Sequence, residues 1–377
     1  MGQGIQLRTW IEIDKNAALH NIGMFRGLIP KTTKLIAVVK SNAYGHGILD
    51  FPKAVQHMVD WFGVDSITEG LRLRKEGIRK PILVLGATLK SRLKDAARHD
   101  IAITVSNFET LRKVSKARPA PKFHIKLDTG MHRQGFQPEE VFKLLAEIKN
   151  KKPKTKDHFT GIYTHFAKAK ARRLDPYTKE QLKKFEDAAG LFHRAGSKNV
   201  IRHAAATAGT FLYPEACLDM VRIGIGFYGL WPSQHVRAAR SDIRFQPVLS
   251  WRTVVVEVKD IARGECVGYD LTGCVRRPSK IAVLPIGYWH GFDRGLSNNG
   301  FVLIRGRRVS VLGRVSMDMT VVDATNVPAV RVGDVVTLIG QDGKERISAD
   351  EIARALGTIN YEVVTRINPL IYRGIRI

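Results

Sequence analysis

Short apolar runs alternate with amphipathic stretches from the N-terminal part of the chain to Ile223. Consecutive apolar residues in a short run are typical of a parallel strand that is buried on both faces. Eight such strands are predicted, at residues 35–39, 61–64, 82–85, 102–105, 123–127, 159–164, 200–203 and 220–223. Helical periodicity lies between them at residues 68–76, 107–116, 138–149 and 177–194. Eight β/α units in series are the number that closes a (β/α)8 TIM barrel, and an open doubly wound sheet is the alternative.

Both ends of the chain follow a different pattern. Residues 6–13 alternate as in a strand, and Asp14 caps a helix to about Leu28. Beyond residue 246 strands dominate, at 248–258, 280–284, 302–304, 309–312, 320–323 and 335–339, with one clear helix at 348–356. We therefore predict an α/β barrel at 15–242 and a mainly β domain at 243–377, which the strand in residues 1–14 joins.

Composition is that of a soluble globular protein. The chain has 377 residues, of which 44% are hydrophobic and 25% charged, enough for a large core and two domains. Cys217, Cys266 and Cys274 have no metal-binding spacing, and their odd number argues against a disulfide framework. Neither a signal peptide nor an apolar run of about 20 residues is present. We expect a cytoplasmic protein in a reducing compartment, with no membrane segment.

The formal net charge of +26 raises the question of a polyanionic partner. Lysines and arginines concentrate between Lys143 and Lys184, with a dense run at 149–154. No nucleic-acid-binding motif and no interleaved stacking aromatics accompany them. The sequence favours a solvated basic face over a nucleic-acid site.

Lys40 follows the first predicted barrel strand and precedes a compact loop, Ser-Asn-Ala-Tyr-Gly-His-Gly. A lone lysine at such a position is usually a surface residue whose stem lies along the strand end. The alternative is an amine held in a pocket to form a Schiff base, for which a tight loop containing Gly45 and Gly47 is suited.

Other polar residues lie at or just after the C-terminal ends of predicted strands, where TIM barrels carry their reactive groups. In chain order they are Lys126, Arg133, His165, His203, Thr207 and Arg222. The loops at 204–209 and 224–229 are rich in small residues, so their backbone amides are suited to phosphate. Residues 224–229 also have the GxGxxG spacing of dinucleotide sites. A Rossmann site is disfavoured because the segment ends the β/α series and no acidic residue closes a following strand.

The stretch 37–47 resembles the pyridoxal-phosphate signature of the alanine racemase family. Further segments resemble that family in the same order, at 126–133, 163–167, 221–225, 267–269, 285–288, 313–318 and 359–362. The resemblance covers nearly the whole chain. It implies a fold-type III pyridoxal-phosphate enzyme that interconverts L- and D-alanine by a two-base mechanism and supplies D-alanine for peptidoglycan.

Individual roles follow from the resemblance by position. It implies that Lys40 binds the cofactor and acts as one base, with Tyr269 as the opposite base. The residues that it implies for the cofactor phosphate are Tyr44, Thr207, Gly224, Ile225 and Tyr361. It also implies Arg222 at the pyridine nitrogen with His165 behind it, and no metal.

Substrate contacts and assembly are implied in the same way. Arg133 would contact the cofactor phenolate and the substrate carboxylate, steadied by a Lys126 that is a candidate for carbamylation. Met317 would offer its backbone amide to the same carboxylate. The family further implies a head-to-tail homodimer in which Tyr269 and Met317 complete the partner's pocket, whereas the sequence alone also allows the chain to fold back on itself.

Departures from the family pattern leave the substrate range open. Ala206 stands where the family usually has Asn, Gln134 replaces an apolar residue, and Trp289 and His290 replace Ala-Asp. A broader racemase for serine or other small amino acids is therefore an alternative. A fold-type III decarboxylase is another, but it would require an acidic partner where Arg222 stands. A single-domain pyridoxal-phosphate carrier would lack everything from Val248 onward.

Overall fold

A computed structural model of the chain describes residues 7–149, 157–171 and 175–376. The chain divides into two compact units. One, here called the barrel unit, comprises Asn16–Ala43 and Pro52–Gln246. The other, here called the β unit, comprises Met1–Lys15, Tyr44–Phe51 and Pro247–Ile377. The segment that follows the Lys40 turn thus groups with the C-terminal part of the chain, which the sequence pattern did not indicate.

The chain begins in the β unit with strand β1 (Thr9–Asp14) and then builds an eight-stranded parallel sheet in the barrel unit. Its strands are β2 (Lys34–Val38), β3 (Trp61–Val64), β4 (Ile82–Val84), β5 (Ile101–Val105), β6 (Phe123–Lys126), β7 (Phe159–Tyr163), β8 (Ile201–His203) and β9 (Met220–Ile223). The helices of this part of the chain are α1 (Lys15–Leu28), α2 (Asp50–Val55), α3 (Ile67–Lys75), α4 (Leu93–Arg98), α5 (Phe108–Lys116), α6 (Val141–Lys149), α7 (Pro176–Arg194), α8 (Thr207–Leu212) and α9 (Gln234–Ala239).

The sheet closes into a barrel between β8 and β9. Its strand order is β8-β7-β6-β5-β4-β3-β2-β9, and each paired neighbour is parallel. Across the seam, the Asp219 N–H donates to Arg202 at 3.1 Å and the Arg222 N–H donates to Ala205 at 3.0 Å. The predicted TIM barrel is therefore confirmed, and the open doubly wound sheet is wrong. All eight predicted strands are present, with bounds that differ by at most one residue at either end.

The β unit contains one large sheet and two small ones. The large sheet has the order β16-β15-β18-β10-β1-β20 with β19 on β18, and the small ones are β11-β14-β17 and β12-β13. Their strands are β10 (Leu249–Val254), β11 (Glu257–Ile261), β12 (Cys266–Val267), β13 (Gly273–Cys274), β14 (Ser279–Leu284), β15 (Phe301–Ile304), β16 (Arg307–Ser310), β17 (Thr320–Asp323), β18 (Val335–Asp342), β19 (Glu345–Ile347) and β20 (Tyr372–Arg376). Two helices, α10 (Ala349–Ala355) and α11 (Asn360–Thr365), follow β19.

The β unit differs from the sequence-based prediction in its strand pairing. The single strand predicted at 248–258 is two strands in different sheets. Val255 donates its N–H to Asp334, whereas Val256 donates to Val283, so consecutive residues join different partners. Strand β1 lies between β10, to which it is antiparallel, and β20, to which it is parallel.

The sequence argument against a disulfide framework does not hold for one pair of cysteines. Cys266 and Cys274 are opposite each other in β12-β13 and are joined by a disulfide, while Cys217 is a buried free thiol. An odd number of cysteines excludes complete pairing but not a single bond.

Some predictions fall beyond the described ranges. Most of the basic run at 149–154 and Gln6 lie outside them. Within those ranges, no helix combines the length and the apolar character needed to cross a membrane.

Glycine at position 161 is a testable constraint of the barrel. A Cβ there would lie 2.3 Å from Nδ1 of the buried His124. We expect Gly161→Ala to lower the free energy of unfolding by about 1–3 kcal/mol through overpacking. The control is Gly23→Ala in α1, where a Cβ would have nothing within 4 Å. This variant should raise the free energy of unfolding by about 0.5–1 kcal/mol. Urea titrations followed by circular dichroism measure both, and equal effects of the two variants would contradict the close contact.

Candidate active site

The Lys40 loop is built on backbone that L-residues seldom adopt. Ser41, Asn42 and Ala43 have φ values of 55°, 55° and 52°, a left-handed turn. Such a conformation costs about 1–2 kcal/mol per residue, so neighbouring contacts must hold it. The carboxylate of Glu69 does so, because it accepts from the N–H of Ser41 at 2.7 Å and from that of Asp65 at 2.8 Å. The end of β2 is thereby fixed to the end of β3.

The Lys40 amine is accessible. Its side chain is 38% exposed, and Nζ lies 3.6 Å from a carboxylate oxygen of Asp65, which is itself 58% exposed. An ion pair that exposed contributes little stability. The amine is therefore available to a small molecule at the C-terminal end of the barrel, where reactive groups of this fold lie.

Asp128 shapes the loop that presents Arg133. One carboxylate oxygen accepts from the N–H groups of Gly130, Met131 and His132 at 2.8–3.0 Å, and the other accepts from that of Arg133 at 2.9 Å. Burial by itself would raise the pKa of Asp128, but these backbone donors bring it below its usual value. The charged carboxylate thus fixes the loop, and Arg133 stands at its exposed end.

Lys126 occupies an unusual setting for a lysine. It is only 6% exposed, and its Nζ donates to Oε1 of Gln134 at 3.4 Å. Burial lowers its pKa to about 8, with the charges of Arg133 and Arg222 acting in the same direction. A substantial fraction of this amine is therefore neutral near physiological pH.

Arg222 is a buried cation held mostly by backbone oxygens. It is 4% exposed. Nη2 donates to the carbonyl oxygens of Thr164 at 2.7 Å and Ala204 at 2.8 Å, and Nη1 donates to that of His203 at 3.0 Å. The ring of Tyr163 lies beneath the guanidinium, 5.1 Å from ring centroid to Cζ. Burial lowers the pKa of Arg222 to about 10, so the group stays protonated at neutral pH.

Arg222 also sets the direction of the hydrogen bonds in a buried chain of two histidines. Its Nη1 lies 2.8 Å from Nδ1 of His203, and Nε2 of His203 lies 2.9 Å from Nδ1 of His124. Because a guanidinium only donates, His203 must accept at Nδ1 and carry its proton on Nε2. His124 then accepts at Nδ1 and carries its proton on Nε2. Burial, and then the charge of Arg222, lower the pKa of both rings, so the chain is neutral.

His165 is a further neutral ring beside Arg222. Its Nδ1 lies 3.5 Å from Nη2 of Arg222, which leaves the proton on Nε2. Burial lowers its pKa well below the usual value, followed by the charges of Arg222, Arg133, Lys126 and Lys40. The structure therefore brings together the barrel-end residues that the sequence pattern indicated.

The two small-residue loops also meet at this end of the barrel. The Gly224 N–H donates to the hydroxyl of Thr207 at 3.2 Å, and both Thr207 and Ile225 are buried. Glycine at 226 is required, because a Cβ there would lie 2.5 Å from Phe25 and 2.9 Å from Thr207. The second loop therefore packs directly against the side chain of Thr207 in the first.

The remaining predicted residues lie in the β unit. The rings of Tyr44 and Tyr361 are 6.1 Å apart, and burial raises the pKa of both hydroxyls, that of Tyr44 to about 12. Tyr269 is 71% exposed and Met317 is 55% exposed. The carbonyl oxygen of Met317 accepts from the N–H of Trp289 at 3.0 Å, so one of the departures from the family pattern adjoins the predicted substrate contact.

Sequence reasoning missed His124, Tyr163 and Glu69. His124 lies two residues before Lys126 on the same strand. Because side chains alternate between the two faces of a strand, both residues lie on one face. That signal was present in the sequence. Tyr163 stacks on His203 at 4.7 Å, a contact between β7 and β8 that no local pattern indicates.

Comparison with known proteins adds independent evidence. The family model "Alanine racemase, N-terminal domain" matches residues 13–232, and "Alanine racemase, C-terminal domain" matches residues 248–375. The alanine racemase of Leptospira interrogans is 40% identical over 97% of this chain and 95% of its own length. That of Methanococcus maripaludis is 40% identical over 97% of each chain. The chain belongs to the alanine racemase family.

Solved structures support the same assignment. The alanine racemase of Bacillus anthracis with bound L-Ala-P has a TM-score of 0.91 and 33% identity, and the match covers 100% of this chain and 96% of that one. The alanine racemase of Clostridium difficile 630 has a TM-score of 0.91 and 32% identity over 99% and 97%. The family, the barrel with its mainly β second domain and the enzyme class inferred from the sequence are confirmed.

The neutral histidine chain of this racemase predicts a specific acid response. The folded pKa of His124 is about 3, so below about pH 6.5 the unfolded chain binds a proton that the folded chain does not. Stability from this group is present above that pH and is lost as pH falls. Each such histidine contributes a slope of up to about 1.4 kcal/mol per pH unit.

We expect His124→Asn to flatten this slope, because Asn retains an acceptor for His203 but binds no proton. Urea unfolding between pH 7 and pH 4.5 gives the slope of the free energy of unfolding for both proteins. The slope is the readout, so a uniform loss of stability in the variant does not affect the comparison. If the free energy of unfolding falls with pH at the same slope in wild type and variant, His124 is not held neutral.

Proposed function

We propose that this chain interconverts L-alanine and D-alanine with pyridoxal 5'-phosphate bound through Lys40. The observation that carries the proposal is an accessible lysine amine at the barrel end, whose charge acts on Lys126 and His165 together with those of Arg133 and Arg222. Family membership supports the same reaction. We further propose that it takes place in the cytoplasm and supplies D-alanine for peptidoglycan.

The residues present fit this cofactor chemically. Lys40 offers a primary amine to its aldehyde, and the cationic groups compensate the charge of its phosphate. The loops around Thr207, Gly224 and Ile225 offer a hydroxyl and backbone N–H groups, and we assign these residues with Tyr44 and Tyr361 to the phosphate. When bound, pyridoxal phosphate supplies the electron sink that stabilises the carbanion left when the α-proton is removed.

Racemisation requires a base on each face of the substrate, because the proton leaves from one side and returns on the other. We assign Lys40 to one face and Tyr269 to the other. Tyr269 is 71% exposed, so its hydroxyl is not engaged in the core of its own unit.

Arg222 favours racemisation over decarboxylation or transamination. We assign it to the pyridine nitrogen. Its guanidinium effectively never gives up its proton, and the histidines behind it are neutral. The residues at this position therefore cannot supply a proton to the ring, which limits the electron sink and the side reactions that a stronger one permits.

Arg133 and the backbone amide of Met317 are assigned to the substrate carboxylate. The proposed carbamylation of Lys126 is supported by its pKa of about 8, because a neutral amine can add CO2 and release a proton to become a carbamate. Its negative charge would lie among Arg133, Arg222 and Lys40. Gln134, a departure from the family pattern, is the present partner of the amine.

We propose a head-to-tail homodimer in which Tyr269 and Met317 enter the partner's pocket. The support is exposure: the β unit presents large apolar side chains to solvent, namely Tyr269, Leu271, Tyr288, Trp289, Met317 and Met319. The N–H of Trp289 donates to the carbonyl oxygen of Met317, so two of these residues are direct neighbours, and an exposed apolar patch is typical of an interaction site. No nucleic-acid partner is proposed.

The first test is catalysis itself. Protein supplied with pyridoxal phosphate should convert L-alanine to D-alanine. Small amino acids such as alanine and serine should react faster than lysine or arginine, because the bulky Trp289 adjoins Met317. Lys40→Ala should lose nearly all turnover, and borohydride should attach the cofactor to the Lys40 peptide in wild type only. Lys34→Ala, at the exposed start of the same strand, is the control and should remain active. Normal turnover by Lys40→Ala would overturn the proposal, and a basic amino acid as best substrate would overturn the specificity.

The second test is complementation between chains. Lys40→Ala and Tyr269→Phe should each be nearly inactive. Unfolded together and reassembled in equal amounts, about half the dimers are mixed if association is random. In a shared-site dimer, each mixed dimer has one intact pocket, so about a quarter of wild-type activity should return. Native mass spectrometry measures the hybrids, and confirmed hybrids without activity would refute the shared site.

A further inference from the structure

The loop that carries Tyr269 is closed by the disulfide between Cys266 and Cys274. The two cysteines are cross-strand partners in β12-β13, a ribbon of only two residue pairs. Tyr269 lies between them in sequence. An isolated two-stranded ribbon is marginal in water, so its conformation depends on additional constraints.

The backbone of this loop needs such constraints. Gly268, Asp270 and Leu271 have φ values of 76°, 58° and 49°. Asp270 and Leu271 are L-residues in the left-handed region, which is disfavoured. The side chain of Tyr269 is 71% exposed and so packs little against its own unit. Its position is therefore determined mainly by the backbone loop that bears it.

Noncovalent contacts also act on this loop. After Tyr269, Asp270 pairs with Arg314 at 2.7 Å, and Asn298 donates to the carbonyl and hydroxyl oxygens of Thr272 at 3.3 Å and 3.2 Å. Before Tyr269, Val267 pairs with Gly273, and Gly264 donates its backbone N–H to Val275 at 2.9 Å. The disulfide between Cys266 and Cys274 is the covalent link between these two sides.

We propose that the Cys266–Cys274 disulfide positions Tyr269, and that reduction of this bond selectively weakens the step in which Tyr269 acts as base. This inference rests on the proposed function of Tyr269. Cys274 is exposed and Cys266 is half-buried, so a small thiol can reach the bond. Tyr269 is a catalytic residue in this scheme, and the two cysteines are positioning residues.

The redox step balances with a dithiol as the reductant. Its thiolate attacks the Cys274 sulfur, the S–S bond breaks, and the Cys266 thiolate leaves and takes up a proton. The second thiol of the reductant then displaces Cys274 as a thiol and closes a cyclic disulfide. The protein gains two electrons and two protons, and the dithiol loses them. Oxidised glutathione reverses the change by the same exchange.

The first measurement asks whether the bond exists and responds. Holoenzyme treated with oxidised glutathione is denatured and alkylated with iodoacetamide, then weighed intact. One alkyl group is expected, on Cys217, and three after dithiothreitol treatment of the native protein. Three alkyl groups before reduction would overturn the proposal.

The second measurement separates the two bases. Exchange of the substrate α-hydrogen in D2O is followed for each alanine enantiomer, with oxidised and with reduced holoenzyme. Reduction should slow exchange of one enantiomer by about tenfold, as expected for a misplaced base, with little effect on the other and little change in KM. Cys266→Ser should show the same asymmetry and no response to dithiothreitol. Cys217→Ser, the control, should behave as wild type.

Tyr269→Phe separates the role of Tyr269 as a base from the positioning role of the disulfide. If it does not depress exchange of one enantiomer selectively, the assignment of Tyr269 as a base fails. If it does, but reduced wild type exchanges both enantiomers as the oxidised form does, only the positioning role of the disulfide fails. An equal loss for both enantiomers on reduction would indicate general loosening and would also overturn that role. Hydrogen–deuterium exchange of the amides at 266–274 should rise on reduction if the loop is released.

Discussion

The barrel unit is organised around one buried cation. A guanidinium that is 4% exposed would be costly without compensation. Arg222 is stabilised because carbonyl oxygens from Thr164, His203 and Ala204 converge on it at the ends of β7 and β8. Its backbone N–H meanwhile bonds to Ala205 across the seam where the barrel closes. The same residue therefore contributes a backbone hydrogen bond to the closure of the barrel and a charge to the candidate site.

The electrostatics of the site follow from that placement. Because Arg222 can only donate, it orients His203 and through it His124, and both rings remain neutral beside it. Burial is the main cause of the lowered pKa values of Lys126 and His165, and the charges of Arg222, Arg133 and Lys40 lower them further. The result is a cluster of positive charge beside neutral histidine rings, with the pKa of Lys126 at about 8. Such a cluster is suited to anionic ligands.

The loops around the site are fixed by short-range polar contacts. Asp128 accepts hydrogen bonds from four backbone N–H groups and so fixes the loop that bears Arg133. Glu69 joins the turn after Lys40 to the start of the loop after β3. In the β unit, the disulfide and the Asp270–Arg314 pair act on the loop of Tyr269. In each case a charged or covalent contact stabilises backbone that has no regular secondary structure.

Local pattern in the sequence determined the eight barrel strands, the strand-rich C-terminal part and the strand ends at which Lys40, Lys126 and Arg222 occur. These features depend on residues close together in the chain, so periodicity and strand ends reveal them. Only the tertiary structure decided that the strand predicted at 248–258 is divided between two sheets, that Cys266 bonds to Cys274, and that Tyr163 stacks on His203. Each of these depends on which strands become neighbours. Strand pairing is made by backbone groups that every amino acid except proline shares, so the local sequence carries little record of it.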